Sequence, residues 1–126
     1  DYFLKSMIIG VPYKSRPSRF QGYYKYLPGW DEPTQGLDSC EIRTSLTRWN
    51  FNTGEQEKVG EAVMRQQDTI VGPNGEYVFF DLEIKYFLEG NPDTIDMVFA
   101  ASAGGEDFRG VAGSTIFVDD FTLIFE

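Results

Sequence analysis

The chain has 126 residues, a length typical of one domain, and its 20 acidic and 11 basic residues give a formal net charge of −9. It has no histidine and one cysteine, which excludes a Ser-His-Asp triad, a histidine zinc site and an internal disulfide. The negative charge argues against nucleic acid as a partner, and no apolar run approaches the roughly 18 residues of a membrane-spanning helix.

The composition favours an all-β domain. The chain contains 11 Phe, 7 Tyr and 2 Trp, and Val and Ile together outnumber Leu and Ala. Aromatic and β-branched side chains suit the pleated, half-buried surface of a sheet. The 13 Gly and 6 Pro residues divide the sequence into short segments, as turns between strands do. We therefore expect one domain over residues 1–126, a two-sheet antiparallel β-sandwich of the jelly-roll type.

Four segments in the first part of the chain have the patterns of strands. The last of them also fits a short helix, and we assign it to a strand because its neighbours are strands. In chain order they are Ser6–Val11, Arg19–Tyr26, Cys40–Trp49 and Ala62–Gln67.

The second of these segments is aromatic on both faces. Strand alternation places Phe20, Tyr24 and Tyr26 on one face and Tyr23 with Lys25 on the other. Both faces can be core only if the strand lies between two layers, so rings on one face are candidates for a binding surface.

The surplus of rings indicates a candidate glycan-binding surface. A pyranose has an apolar C–H face that stacks on an aromatic ring, while its hydroxyls pair with polar neighbours. The candidate contact residues, which lie in turns or on an outward strand face, are Tyr23, Lys25, Trp30 and Trp49. The alternative is that these rings belong to the core or cover a sheet edge.

The clearest strand of the sequence is Glu76–Leu88, and Thr94–Ser102 follows it as the next strand. A turn at Gly72–Gly75 precedes it, in which Asn74 and Gly75 are expected to have positive φ. Strict alternation in the strand predicts one buried face, made of Val78, Phe80, Leu82, Ile84, Tyr86 and Leu88.

Two further patterns indicate chemistry only weakly. Asp81 and Glu83 point the same way from one strand and could form a glycosidase pair, but a solvated outer face explains them better. Gly105–Gly110 has the glycine spacing of a phosphate loop, but it contains two acids and no Lys-Ser/Thr follows it.

The final strand, Ser114–Glu126, changes phase in the middle. Ile116 and Val118 share a face, and the inward positions then continue one residue out of step from Phe121. A β-bulge at Asp119 and Asp120 would restore the inward face. Adjacent carboxylates also suit a hard cation, so the pair is a candidate ligand set for a structural calcium ion, the one cofactor that the residues suggest.

Six segments, taken in order, form a pattern that resembles a known family. They are Gly10–Tyr13, Arg16–Pro17, Gly22–Tyr26, Ile84–Tyr86, Phe99–Ser102 and Phe108–Leu123. In this order and spacing they resemble the putative carbohydrate metabolism domain family over most of the chain. The closing segment is the most specific of the six.

The resemblance implies a jelly-roll β-sandwich similar to galactose-binding and carbohydrate-binding modules. It also implies the C-terminal module of a longer, exported surface protein, with an upstream domain in the same chain and an extracellular or outer-membrane location. In similar carbohydrate-binding modules, the last-strand segment matched by Asp119 and Asp120 contributes to a structural calcium ion. The other ligands usually come from near the domain start, where this chain has Asp1.

Three function hypotheses follow from the residues and the resemblance. The first is a non-catalytic carbohydrate-binding or carbohydrate-associated module with a glycan ligand. The second is a structural or protein-interaction domain of a surface assembly, which would use an exposed apolar patch or sheet edge. The third, a glycoside hydrolase, has the least support because no pair of acids stands out from the 20 in the chain.

Overall fold

The structure, a computed structural model, describes residues 5–32, 35–102 and 113–125. Ten strands and one short 3-10 turn (Pro73–Gly75) lie in these ranges. The strands are β1 (Lys5–Pro12), β2 (Arg19–Leu27), β3 (Trp30–Asp31), β4 (Gly36–Leu37), β5 (Cys40–Asn50), β6 (Glu55–Gln66), β7 (Val78–Glu83), β8 (Lys85–Tyr86), β9 (Thr94–Ala100) and β10 (Thr115–Ile124). The described residues contain no helix long and apolar enough to cross a membrane.

Two antiparallel sheets form the domain. One has five strands in the order β1-β9-β5-β6-β8, and the other has three in the order β10-β2-β7. A small hairpin, β3–β4, follows β2. The predicted all-β sandwich is confirmed, whereas its jelly-roll connectivity stays a prediction. The segment that also fits a helix belongs to β6 except for its last residue, Gln67. β6 pairs with β5 from Glu55 to Gln66, with one register shift opposite Leu46 and Thr47.

The core lies between the two sheets, and aromatic rings form its centre. Phe20 on β2 packs edge-on against Phe80 on β7, with ring centroids 5.3 Å apart. It also contacts Phe99 on β9 at 6.1 Å, which joins the three-stranded sheet to the five-stranded one. The Tyr26 hydroxyl donates a buried hydrogen bond to the Ala101 carbonyl at 2.7 Å, so its polar end is satisfied inside the core.

The expected continuous strand Glu76–Leu88 is wrong, although its alternation is right. The chain leaves the three-stranded sheet after Glu83 and joins the edge of the five-stranded sheet at Lys85. Between them Ile84 is buried, and its N–H donates to the Ser18 carbonyl at 2.9 Å. The chain bends around the core here, so alternate side chains keep facing inward while the strand changes sheets.

The predicted bulge in β10 is confirmed. Its pairing with β2 shifts between Asp119 and Thr122, and Asp120 has φ = 49°. Beyond the extra residue, the Phe121 ring is still 40% exposed but contacts two core rings: it lies 5.4 Å from the ring of Phe99 and 6.4 Å from that of Phe20.

The inward position of Gly22 on β2 gives a test of this packing. A Cβ atom there would lie 2.7 and 2.8 Å from two carbons of the Phe80 ring and 3.1 Å from the Phe121 Cα. We expect Gly22→Ala to lower the free energy of unfolding by about 1–3 kcal/mol, measured by urea denaturation, because the core is overpacked. Gly36→Ala is the control: a Cβ there meets nothing within 4 Å, and a change within about 0.5 kcal/mol is expected. Equal stability of the two variants would contradict this packing.

The core also predicts how stability depends on pH. Burial raises the pKa of the Cys40 thiol from 9.0 to about 11, and it raises the pKa of Tyr24 and Tyr86 from 10.0 to about 12. The folded state therefore favours the protonated groups. Stability from this source is complete below pH 9 and falls as pH rises through about 11 to 12, because the unfolded chain releases its protons first.

Cys40→Ala removes the group that titrates first. Between pH 8 and 10.5 we expect the variant to lose less free energy of unfolding than the wild type, by on the order of 1 kcal/mol. Urea denaturation at a series of pH values measures the difference. Parallel profiles for the two proteins would show that the thiol ionises equally easily in both states.

Candidate functional site

The outward side of the three-stranded sheet carries a group of exposed rings around one lysine. On β2, Tyr23 lies opposite Phe79 of β7, and Lys25 lies opposite Phe117 of β10. Tyr77, which immediately precedes β7, completes the group. We call these five residues the aromatic face.

The rings of the aromatic face contact one another or the lysine. The Tyr23 and Phe79 centroids lie 5.3 Å apart with their planes tilted by 56°. The Lys25 Nζ lies 4.6 Å from the Tyr77 centroid and 5.0 Å from the Phe117 centroid, both within cation–π range. The four side chains are between 39% and 50% exposed, so the core does not account for them.

A tight turn fixes the lysine. Asn74 and Gly75 have φ values of 57° and 78°, which confirms the expected positive-φ pair. The turn presents the Gly75 carbonyl to the Lys25 Nζ, which donates a hydrogen bond to it at 3.2 Å. Behind the lysine's strand, the buried Tyr24 ring packs on Phe80, so the aromatic face rests on a close-packed layer.

Polar side chains border the aromatic face along β2 and β7. Asp81 Oδ1 accepts hydrogen bonds from Arg19 Nε at 2.7 Å and from Gln21 Nε2 at 3.1 Å. The bond from Arg19, followed by that from Gln21, lowers the pKa of the Asp81 carboxyl. Asp81 is therefore ionised at neutral pH and offers acceptor oxygens rather than a proton.

The structure separates the four predicted glycan contacts. Tyr23 and Lys25 lie together in the aromatic face, and the two tryptophans lie elsewhere. Trp30 is in the β3–β4 hairpin, where its indole N–H donates to Glu32. Trp49 is near the end of β5, and its backbone N–H donates to an Asp93 carboxylate oxygen at 2.9 Å.

The two tryptophans lie at opposite ends of the sandwich. The N–H of Asp38, just before β5, donates to the Gly29 carbonyl at 2.8 Å, so the Trp30 hairpin lies near the start of β5. Trp49 is nine residues further along from Cys40, about 30 Å at the rise of an extended strand. One small ligand therefore cannot contact both.

Three members of the aromatic face are not among the glycan contacts that the sequence predicts. Tyr77 and Phe79 alternate with the predicted buried face of Glu76–Leu88, so the pattern places them outward without indicating a site. No local sequence pattern indicates that Phe117 belongs to the aromatic face, because its neighbour Lys25 is about ninety residues away in the chain. The pairing of β10 with β2 brings them together.

The predicted calcium ligands lie beside the aromatic face. Asp119 is opposite Tyr23, Asp120 occupies the bulge, and both are exposed. No group of three or more Asp, Glu, His or Cys side chains is placed to hold a metal ion within the described ranges. Asp1 and the glycine-rich segment Gly105–Gly110 lie outside those ranges. The calcium site stays a prediction.

The fold and the aromatic face define an all-β sandwich domain with an exposed ring-rich surface on one sheet. The model of the family described as "Putative carbohydrate metabolism domain" matches residues 1–124. The chain therefore belongs to this family. A search of curated proteins found no match.

Two crystal structures share the fold. One is of a putative glycoside hydrolase from Bacteroides thetaiotaomicron, with 23% identity and a TM-score of 0.69. The other is of a putative glycoside hydrolase from Bacteroides vulgatus, with 22% identity and a TM-score of 0.70. The match covers 93% of this chain in both cases, but 40% of the first protein and 55% of the second. At this identity the likeness concerns the fold alone.

The bulge beside the aromatic face gives a backbone test. Asp120 has φ = 49°, a conformation that Gly adopts freely and a β-branched residue strongly resists. We expect Asp120→Val to lower the free energy of unfolding by about 1–2 kcal/mol and Asp120→Gly to change it much less. Thermal and urea denaturation of the two variants measure the difference. Equal losses would show that the carboxylate matters and the backbone conformation does not.

Chelation tests the predicted calcium separately. If Asp119 and Asp120 hold a structural ion, EDTA lowers the melting temperature of the wild type but not of a variant with both residues changed to Asn. An identical melting temperature of the wild type with EDTA and with added calcium would contradict the metal site.

Proposed function

We propose that this domain is a non-catalytic carbohydrate-binding module whose glycan ligand lies on the aromatic face. The observation that carries the proposal is the group of four half-exposed rings around Lys25 on one outward sheet surface. Membership of a family named for carbohydrate metabolism favours a sugar over other ligands with apolar surfaces.

The chemistry of the face suits a sugar chain. Tyr23 and Phe79 offer ring surfaces for the C–H faces of pyranoses, and the tyrosine hydroxyl adds a polar group. Gln21 and Asp81 lie two residues before Tyr23 and two after Phe79, where they can pair with sugar hydroxyls. A pair of rings, Tyr23 and Phe79, thus lies next to a pair of hydrogen-bonding groups, Gln21 and Asp81, which suits an amphipathic ligand.

Several features favour binding over hydrolysis. A glycosidase needs a carboxylic acid that keeps its proton at the working pH, and the lowered pKa of Asp81 is the opposite of that requirement. The similar structures described as putative glycoside hydrolases are about twice the length of this chain, so the shared fold is only part of them. We also propose that this domain works within a longer protein that is exported to the cell surface. The greater length of the similar structures supports only the first part of this proposal.

One observation supports a protein-interaction role as the second candidate. Phe51, in the β5–β6 turn, is 89% exposed and lies two residues after the exposed Trp49. The Asn50 side chain accepts hydrogen bonds from the backbone N–H groups of Asn52 and Thr53, at 2.9 and 3.2 Å, which orders the turn. An ordered turn that presents two rings suits contact with a protein surface.

Ring removal tests the proposed function. Tyr23→Ala and Phe79→Ala should each weaken glycan binding at least about tenfold, or about 1.4 kcal/mol, because stacking surface is lost. A polysaccharide array finds the ligand, and isothermal titration calorimetry measures the affinities. Each variant loses the contact between these two half-exposed rings, so the melting temperature should fall by only a few degrees, and a cooperative transition confirms that the variant remains folded.

Phe51→Ala is the matched control, because it removes a more exposed ring that lies outside the aromatic face. It should leave glycan affinity unchanged. Absence of binding to every polysaccharide, or binding that survives loss of Tyr23 and Phe79, would contradict the proposal. If Phe51→Ala and Trp49→Ala abolish binding to a protein partner, and Tyr23→Ala and Phe79→Ala do not, the result would favour the second candidate.

A further inference from the structure

We infer that the aromatic face prefers glycans with an anionic substituent, a uronic acid carboxylate or a sulfate ester, and that Lys25 binds the anion. The inference rests on the proposed function and names its substrate class. It depends on where the Lys25 ammonium lies and on what surrounds it.

The Lys25 ammonium lies among the rings of the aromatic face, and not all of its N–H donors are used by the residues that the structure describes. Its Nζ lies over the rings of Tyr77 and Phe117, and it donates one hydrogen bond, to the Gly75 carbonyl. An ammonium has three N–H donors. The two rings attract its charge, but they do not provide the oxygen acceptors that a carboxylate would. No carboxylate lies within 4.0 Å of this Nζ in the described part of the chain.

The other cation on this sheet surface is already engaged. Arg19 forms an ion pair with Asp81 at 2.7 Å, so a ligand would have to compete with Asp81 for it. Lys25 has no such competitor, and its rings exclude part of the water that would otherwise screen it. A ligand that stacks on Tyr23 and Phe79 therefore meets one available positive charge beside its sugar rings.

Asp119 weakens this preference. It lies opposite Tyr23, two residues after Phe117, and diagonal to Lys25 across the strand pair, a separation of about 7–8 Å in a regular sheet. Its charge repels an anion over Tyr23 most strongly and one over Lys25 less, because Lys25 is farther from it. The net charge of −9 also opposes polyanions, but salt screens it beyond about 8 Å at physiological ionic strength.

The test compares polysaccharides that differ only in charge. The probes are oligogalacturonate against its methyl ester, and a sulfated galactan against the desulfated polymer. An array of neutral and acidic polysaccharides is followed by calorimetry at physiological ionic strength, where the net charge of −9 is screened. For at least one pair we expect three- to tenfold tighter binding of the anionic form, or about 0.7–1.4 kcal/mol. A preference in the galacturonate pair indicates a carboxylate ligand, and a preference in the galactan pair indicates a sulfate ligand. In either case 0.5 M NaCl should abolish the preference for the anionic form.

Charge variants assign the preference to Lys25. Lys25→Met keeps a long side chain over the rings and should reduce the anionic-to-neutral affinity ratio to about one, whereas Lys25→Arg should retain a ratio above one. Asp119→Asn should raise the ratio, because it removes the repelling charge. Lys85→Met, an exposed lysine at the edge of the other sheet, is the control and should leave the ratio unchanged.

The outcomes separate this inference from the proposed function. Binding that requires Tyr23 and Phe79 but shows no preference in either pair, or a preference that survives Lys25→Met, overturns the inference and leaves the proposed function intact. Absence of binding to any polysaccharide overturns both.

Discussion

The pleat of β2, the central strand of the three-stranded sheet, is the constraint on which the rest of this domain depends. Its inward residues, Phe20, Tyr24 and Tyr26, are almost fully buried and form the centre of the core. Its outward residues, Tyr23 and Lys25, form the middle of the aromatic face. Because one strand supplies both, the position of the site is fixed by the same packing that stabilises the fold.

On this shared strand, residues that stabilise the core and residues of the proposed binding surface lie within a few positions of each other. Inward changes act on the packing between the sheets, as the close approach of the Gly22 position to the Phe80 ring illustrates. Outward changes act on side chains that are half in solvent and backed by ordered strands. Rings that already contact one another suit a ligand that stacks, because they lose little conformational freedom when it binds.

Local patterns predicted much of the fold. Alternation identified the inward rings of β2 and, where it changes phase, the bulge at Asp119 and Asp120. The preference of Asn and Gly for positive φ identified the Asn74–Gly75 turn. The same alternation could not show that the chain changes sheets at Ile84. A strand that bends around a core and a straight strand bury the same alternate residues, so the sequence pattern is identical for both.

By itself the sequence determined the class of fold, the family and the inward and outward sets of residues, because these follow from local propensity and short-range order. Only the tertiary structure decided which outward residues are neighbours. It placed Phe117 beside Lys25 and moved Trp30 and Trp49 to opposite ends of the sandwich. The reason is that cross-strand neighbours depend on the pairing partner and register of distant strands, which no pattern within a single segment contains.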